Sequence, residues 1–110
     1  MIEVECHISV KKNGNCFLDP VKTALLQEIK KNGSLNRAAK SLQISYQHAW
    51  NMIKEMNDSA PEPLVAKQRG GSNGGGASIT AYGEKILKDY FIIQAQVDKM
   101  VNQINVEINL

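Results

Sequence analysis

Long apolar runs, a strong net charge and cysteine are what this chain has least of, and each scarcity excludes something. No segment reaches the roughly 18 consecutive apolar residues that span a bilayer, and no charged, apolar, small-residue leader opens the chain. A soluble cytoplasmic protein without a membrane partner is expected. Two cysteines, Cys6 and Cys16, are too few for a disulfide framework, so reduced, packed thiols are expected, with Cys6 pointing inward from a strand. Two histidines, His7 and His48, complete the soft ligands, but there is no CxxC or HxxxH spacing, and adjacent strand residues such as Cys6 and His7 point to opposite faces. No metal and no cofactor is expected. No Ser-His-Asp or Cys-His order is present and the carboxylates scatter over wet faces, so the chain is not read as an enzyme. The net charge of +2, from 13 Lys and Arg against 11 Asp and Glu, is too small to demand a polyanionic partner by itself. Its distribution matters more.

What is present is concentrated in Ser34 to Asn57, SLNRAAKSLQISYQHAWNMIKEMN. Ser34 caps a first short helix whose apolar positions Leu35, Ala38, Ala39 and Leu42 recur at helical spacing. Ser45 caps a second, with Ala49, Met52, Ile53 and Met56 as its buried stripe. Only Gln43 and Ile44 remain for the turn. Ala38 and Ala39 are small enough for close helix crossing, and Tyr46, Gln47, Trp50, Asn51 and Lys54 fall largely on the opposite side of the second helix from Ala49 and Met56. Such a face suits base edges and phosphates: it is the pattern of a helix-turn-helix reader of DNA, against the plainer alternative of a helical hairpin in an α-rich core.

The flanking text favours the reader. Pro63 to Thr80, PLVAKQRGGSNGGGASIT, predicts a β-hairpin over 63–80 with Leu64 and Val65 inward, Lys67 and Arg69 on its edge and a glycine-rich tip, the layout of a wing. Glycines there allow close approach to a phosphate backbone, whereas a nucleotide phosphate loop would need a Gly-Lys-Ser/Thr that is missing. Arg37, Lys40, Lys54, Lys67 and Arg69 gather about this head, while Glu3, Glu5, Glu28, Asp98 and Glu107 lie elsewhere. The candidate DNA contacts are Ser34, Asn36, Arg37, Ser45, Tyr46, Gln47, Asn51, Lys54, Lys67, Arg69, Gly70 and Gly71.

At the N-terminus, Ile2, Val4, Cys6, Ile8 and Val10 alternate with polar residues and Asn13-Gly14 is a strong turn, predicting a β-hairpin over 1–18. Asp19 as cap and Pro20 in the first turn open a helix with Val21, Ala24, Leu25 and Ile29 buried, stopped by Gly33. Three helices thus fill 20–58. From Thr80 a long helix is expected over 80–108, its apolar residues Ile86, Tyr90, Ile93, Val97, Met100 and Ile104 stepping by four and three in a coiled-coil-like seam. Leu87, Phe91 and Val101 widen the stripe, and a frayed core helix is the plainer alternative. These six seam residues are the candidate homodimer interface, since two reading heads on a two-fold axis match two half-sites. One domain over 1–110 is predicted: α+β, mainly α, a winged helix-turn-helix with an N-terminal β-hairpin and a long C-terminal dimerisation helix.

With these elements in place the chain resembles the N-terminal DNA-binding domain of the molybdate-responsive, ModE-type transcription regulators, whose winged helix is related to that of LysR-type regulators. The matching text is GSLNRAAKSLQISYQHAWNMIKEMN at Gly33 to Asn57 and LVAKQRGGSNGGGASITAYGEKIL at Leu64 to Leu87, with Asp19-Pro20 before the first helix. The resemblance implies a dimer on double-stranded promoter DNA, with Ser45 to Lys54 in the recognition helix and Lys67 to Gly76 in the wing. Gln43 stands where such turns commonly have glycine, a position that strains a non-glycine residue if φ is positive. The oxyanion-binding domains of the family's full-length members lie outside these residues, so no small-molecule effector site is expected here. The rival function is a helical protein-interaction module in which the long helix, Tyr46, Trp50 and the wing dock another protein.

Overall fold

Asp19 and Pro20 decide where strand gives way to helix. In the computed structural model, which describes residues 2–68, 76–104, 106 and 108–110, two short antiparallel strands, β1 (Val10–Lys12) and β2 (Asn15–Leu18), precede helix α1 (Pro20–Asn32). The Asn13-Gly14 turn takes positive φ at both residues, 52° and 81°, as a two-residue hairpin requires. Pairing runs Val10 to Leu18, Lys11 to Cys16 and Lys12 to Asn15, with an irregularity after Val10.

The expected hairpin over 1–18 is therefore shorter than its alternation suggested. The return strand ends at Leu18, because the Asp19 side chain accepts the Lys22 N–H at 2.7 Å and starts the helix, so residues 2–9 have no strand opposite them. Instead they run along the last helix. Tyr90 Oη donates to the Ile8 carbonyl at 3.1 Å and Gln94 Nε2 to that of Cys6 at 2.7 Å. Cys6 is exposed, not packed inward, and Cys16 is exposed too; both thiols are free.

Helix α1 closes on Gly33, left-handed at φ 66°, whose N–H donates to the Ile29 carbonyl. Its buried side is Leu25, Leu26 and Ile29, with Lys22 and Thr23. The expected stripe is rotated: Val21 is 50 % exposed and Ala24 only half-buried, since Leu26 takes the place facing the next helices. Lys22 is tolerated inside because its Nζ donates to the Cys16 carbonyl at 2.9 Å and pairs with Glu55 at 3.3 Å.

Helices α2 (Leu35–Ser41) and α3 (Tyr46–Ser59) follow. The wing strands β3 (Val65–Gln68) and β4 (Gly76–Ile79) pair antiparallel, Val65 opposite Ile79 and Gln68 opposite Gly76. A bridge from Ser34 to Gly76, with Ala77 N–H donating to the Gly33 carbonyl at 3.2 Å, ties β4 to the α1–α2 junction. One core joins Leu18, Leu25, Leu26, Ile29, Leu35, Ala38, Ala39, Ala49, Ile53, Met56, Leu64 and Leu87. This is a mainly helical winged helix-turn-helix.

Helix α4 (Ala81–Asn102) is capped by the Thr80 side chain, which accepts the Gly83 N–H at 2.9 Å. It ends at Asn102, six residues before the expected 108. From Asn102 on, the sequence alternates Ile104, Val106, Ile108 and Leu110 with Asn and Glu, and β-branched residues and Asn are weak helix formers. Two candidate interface residues consequently change place. Tyr90 is only 3 % exposed, drawn into the chain's own core by its bond to Ile8, and Ile104 lies beyond the helix.

Candidate nucleic-acid interface

The turn between α2 and α3 is a helix stop built without glycine. Gln43 has φ 58°, its N–H donates to the Lys40 carbonyl and the Ile44 N–H to the Ala39 carbonyl, each at 3.0 to 3.1 Å. Those two bonds satisfy the last carbonyls of α2 in the Schellman pattern, with Gln43 in the left-handed position. The side chain of Ser45 immediately caps α3, accepting the His48 N–H at 3.0 Å, and Ser34 caps α2 by accepting the Arg37 N–H at 3.2 Å. Both hydroxyls keep a proton to donate outward.

With Ala49, Met52, Ile53 and Met56 buried, the other side of α3 is presented to solvent. Tyr46, Gln47, Asn51 and Lys54 are exposed, as is His48, which is not among the candidate DNA contacts. On α2, Asn36, Arg37 and Lys40 are exposed and Ser34 half-buried. Between Glu28 and Glu55 the chain carries no acid at all, so this surface holds cations and neutral hydrogen-bonding groups without a competing carboxylate of its own segment. Gln47 Nε2 donates to Asn51 Oδ1 at 2.9 Å, one turn along the helix.

Trp50 is half-buried and packs against the core, and Lys67 of β3 places its Nζ 3.6 Å from the centre of the indole ring. That contact binds wing to helix through the ring's negative face while leaving the ammonium N–H groups free to donate. A second tie is Asn57, which periodicity marks only as a polar residue near the end of α3. Its Oδ1 accepts the N–H groups of Leu64 at 2.8 Å and Val65 at 3.3 Å, and its Nδ2 donates to the Val65 carbonyl at 3.1 Å. Such a partner becomes visible only once the chain returns beside the helix. Arg69, Gly70 and Gly71, together with the other tip glycines at 74 and 75, lie outside the described residues.

Partial desolvation, then the neighbouring Asp19 carboxylate, pushes the Cys16 thiol up. No helix among the described residues is long and apolar enough to cross a membrane.

Residues 22–84, from within α1 to the first turn of α4, match the family described as bacterial regulatory helix-turn-helix protein, lysR family. Among curated proteins the chain is 38 % identical over 94 residues to the transcriptional regulator ModE of Haemophilus influenzae, covering 86 % of this chain and 37 % of that protein. It is 38 % identical over 92 residues to the molybdenum transport protein ModE of Azotobacter vinelandii, covering 84 % and 34 %. It is 36 % identical over 98 residues to the DNA-binding transcriptional dual regulator ModE of Escherichia coli, covering 89 % and 37 %. The chain thus spans little more than a third of the length of these relatives.

Proposed function

The chain belongs to the lysR family of bacterial regulatory helix-turn-helix proteins, and from that premise we propose that it is a sequence-specific, double-stranded-DNA-binding transcription regulator that acts as a homodimer on promoter DNA. The observation that carries the reading is the outward face of α3: Tyr46, Gln47, Asn51 and Lys54 stand together, exposed, with no acid before Glu55, on a helix whose opposite side is locked in the core. In this reading the outward side chains between Ser45 and Lys54 enter the major groove. Ser34, Asn36 and Arg37 at the start of α2 meet one phosphate strand, and Lys67, Arg69, Gly70 and Gly71 of the wing follow the backbone. Base edges specify; phosphate contacts set register.

Dimerisation draws support from α4. Ile93 is 46 % and Met100 63 % exposed, one heptad apart, with Val97 half-buried between them and Ile92 exposed beside them. Ile86 is half-buried against the core and contributes at the margin. Of the six seam residues, Ile93, Val97 and Met100, with Ile92 beside them, supply the helical apolar surface proposed for pairing, whereas Tyr90 is buried in the chain's own core. Two of these relatives, from Haemophilus influenzae and Escherichia coli, are named as transcriptional regulators, which fits a role in gene control.

Selection from a random duplex pool followed by a salt titration tests the reading. A recovered consensus, bound with an affinity that falls steeply with salt as several phosphates release counterions, is the expected result. Absence of any consensus together with a flat salt dependence would instead identify a protein-docking module.

A further inference from the structure

Gln47 and Asn51 are bonded to each other before any DNA arrives, which changes what they can read. Their amides hold one oxygen and one nitrogen in the shared hydrogen bond at 2.9 Å, and neither side chain has another partner among the described residues. Whichever way the two amides are turned, the bond joins the amino group of one to the carbonyl oxygen of the other, and the groups left wholly free are one carbonyl oxygen and one amino group. Both residues are exposed on the outward face of α3, in line with Lys54 one turn further on.

On this basis, and resting on α3 being the recognition helix, we infer that Gln47 and Asn51 act as a single reading unit for adenine in the major groove. Adenine alone presents, on one base edge, a ring-nitrogen acceptor beside an amino donor. Guanine shows two acceptors, cytosine one donor, and thymine one acceptor with a methyl group. The wholly free amino group and carbonyl oxygen match adenine's acceptor and donor. A single long amide reads adenine in the same way; here the two atoms come from two side chains, and the bond between them fixes both, so less freedom is lost on binding.

The test is selection from a random duplex pool with the wild-type chain, Gln47→Ala, Asn51→Ala and the double variant, all substituted at exposed positions that leave the core intact. The wild-type consensus should contain an A·T pair whose preference falls by roughly 5- to 150-fold in each single variant, at the same position. The double variant should lose no more than the poorer single. Replacing that adenine by a deaza analogue lacking the ring nitrogen should weaken wild-type binding and leave the variants unchanged. Relaxation at two different base pairs, a shared position that is G·C, or indifference to the deaza analogue would overturn the paired reading while leaving DNA recognition standing. A wild-type chain that selects no sequence would remove both.

Discussion

Replacing Gln43 by glycine should make the protein more stable, because the turn holds this residue at φ 58° through backbone bonds alone, its own N–H to the Lys40 carbonyl and that of Ile44 to Ala39. A side chain in the left-handed region costs about 1–2 kcal/mol, and the extra chain freedom of glycine returns about 0.5–1. The net gain of about 0.5–1 kcal/mol should appear as a raised urea midpoint at unchanged slope. Asn57 works in the other direction. Its amide serves three backbone groups of Leu64 and Val65, so Asn57→Ala leaves them unpaired and should cost about 1–3 kcal/mol, whereas Asn57→Asp keeps the two accepted bonds and should fall between. Chemical denaturation of the three proteins ranks them; an Asn57→Ala protein as stable as wild type would show that the wing is held by other contacts.

At the scale of elements, Gly83 reverses a usual rule. Glycine to alanine inside a helix ordinarily stabilises by about 1 kcal/mol, but a Cβ at Gly83 would meet the Leu64 carbonyl oxygen at 2.3 Å, so α4 would have to move off the start of β3. Gly83→Ala should lower the melting temperature, and a rise would place the helix further from the wing. Helices α2 and α3 were legible because their caps, Ser34 and Ser45, and their apolar spacing are local properties of the chain. The N-terminal strand and the end of α4 were not. Alternation at residues 2–10 states which side could be buried, but whether a partner strand exists depended on β2 stopping at Leu18. Likewise the four-three steps that contain Tyr90 mark an apolar stripe without saying whose surface covers it. Tyr90→Phe should therefore cost the chain's own stability about 1 kcal/mol through the lost bond to Ile8, with association unchanged, while Ile93→Glu should abolish association and leave the fold intact. Sedimentation beside thermal melting separates the two effects; association lost in Tyr90→Phe and kept in Ile93→Glu would invert the assignment.

The whole molecule measures 55 × 29 × 22 Å, and α4, about 33 Å long at 1.5 Å per residue, gives much of that length. A single copy leaves Ile92, Ile93 and Met100 in water, and each large apolar side chain removed from it is worth about 1.5–3 kcal/mol. Pairing two such helices about a two-fold axis is the proposed route to a stable dimer, which sets two copies of α3 on one face for half-sites about 34 Å apart. The central claim, dimeric sequence-specific DNA binding, is tested most directly by the affinity of the intact chain for its selected duplex and for a scrambled duplex of the same length across a salt series. Binding to the selected duplex should be roughly a thousandfold or more tighter, with an affinity that falls steeply as salt rises. Equal affinity for the two duplexes, or an affinity indifferent to salt, would contradict it.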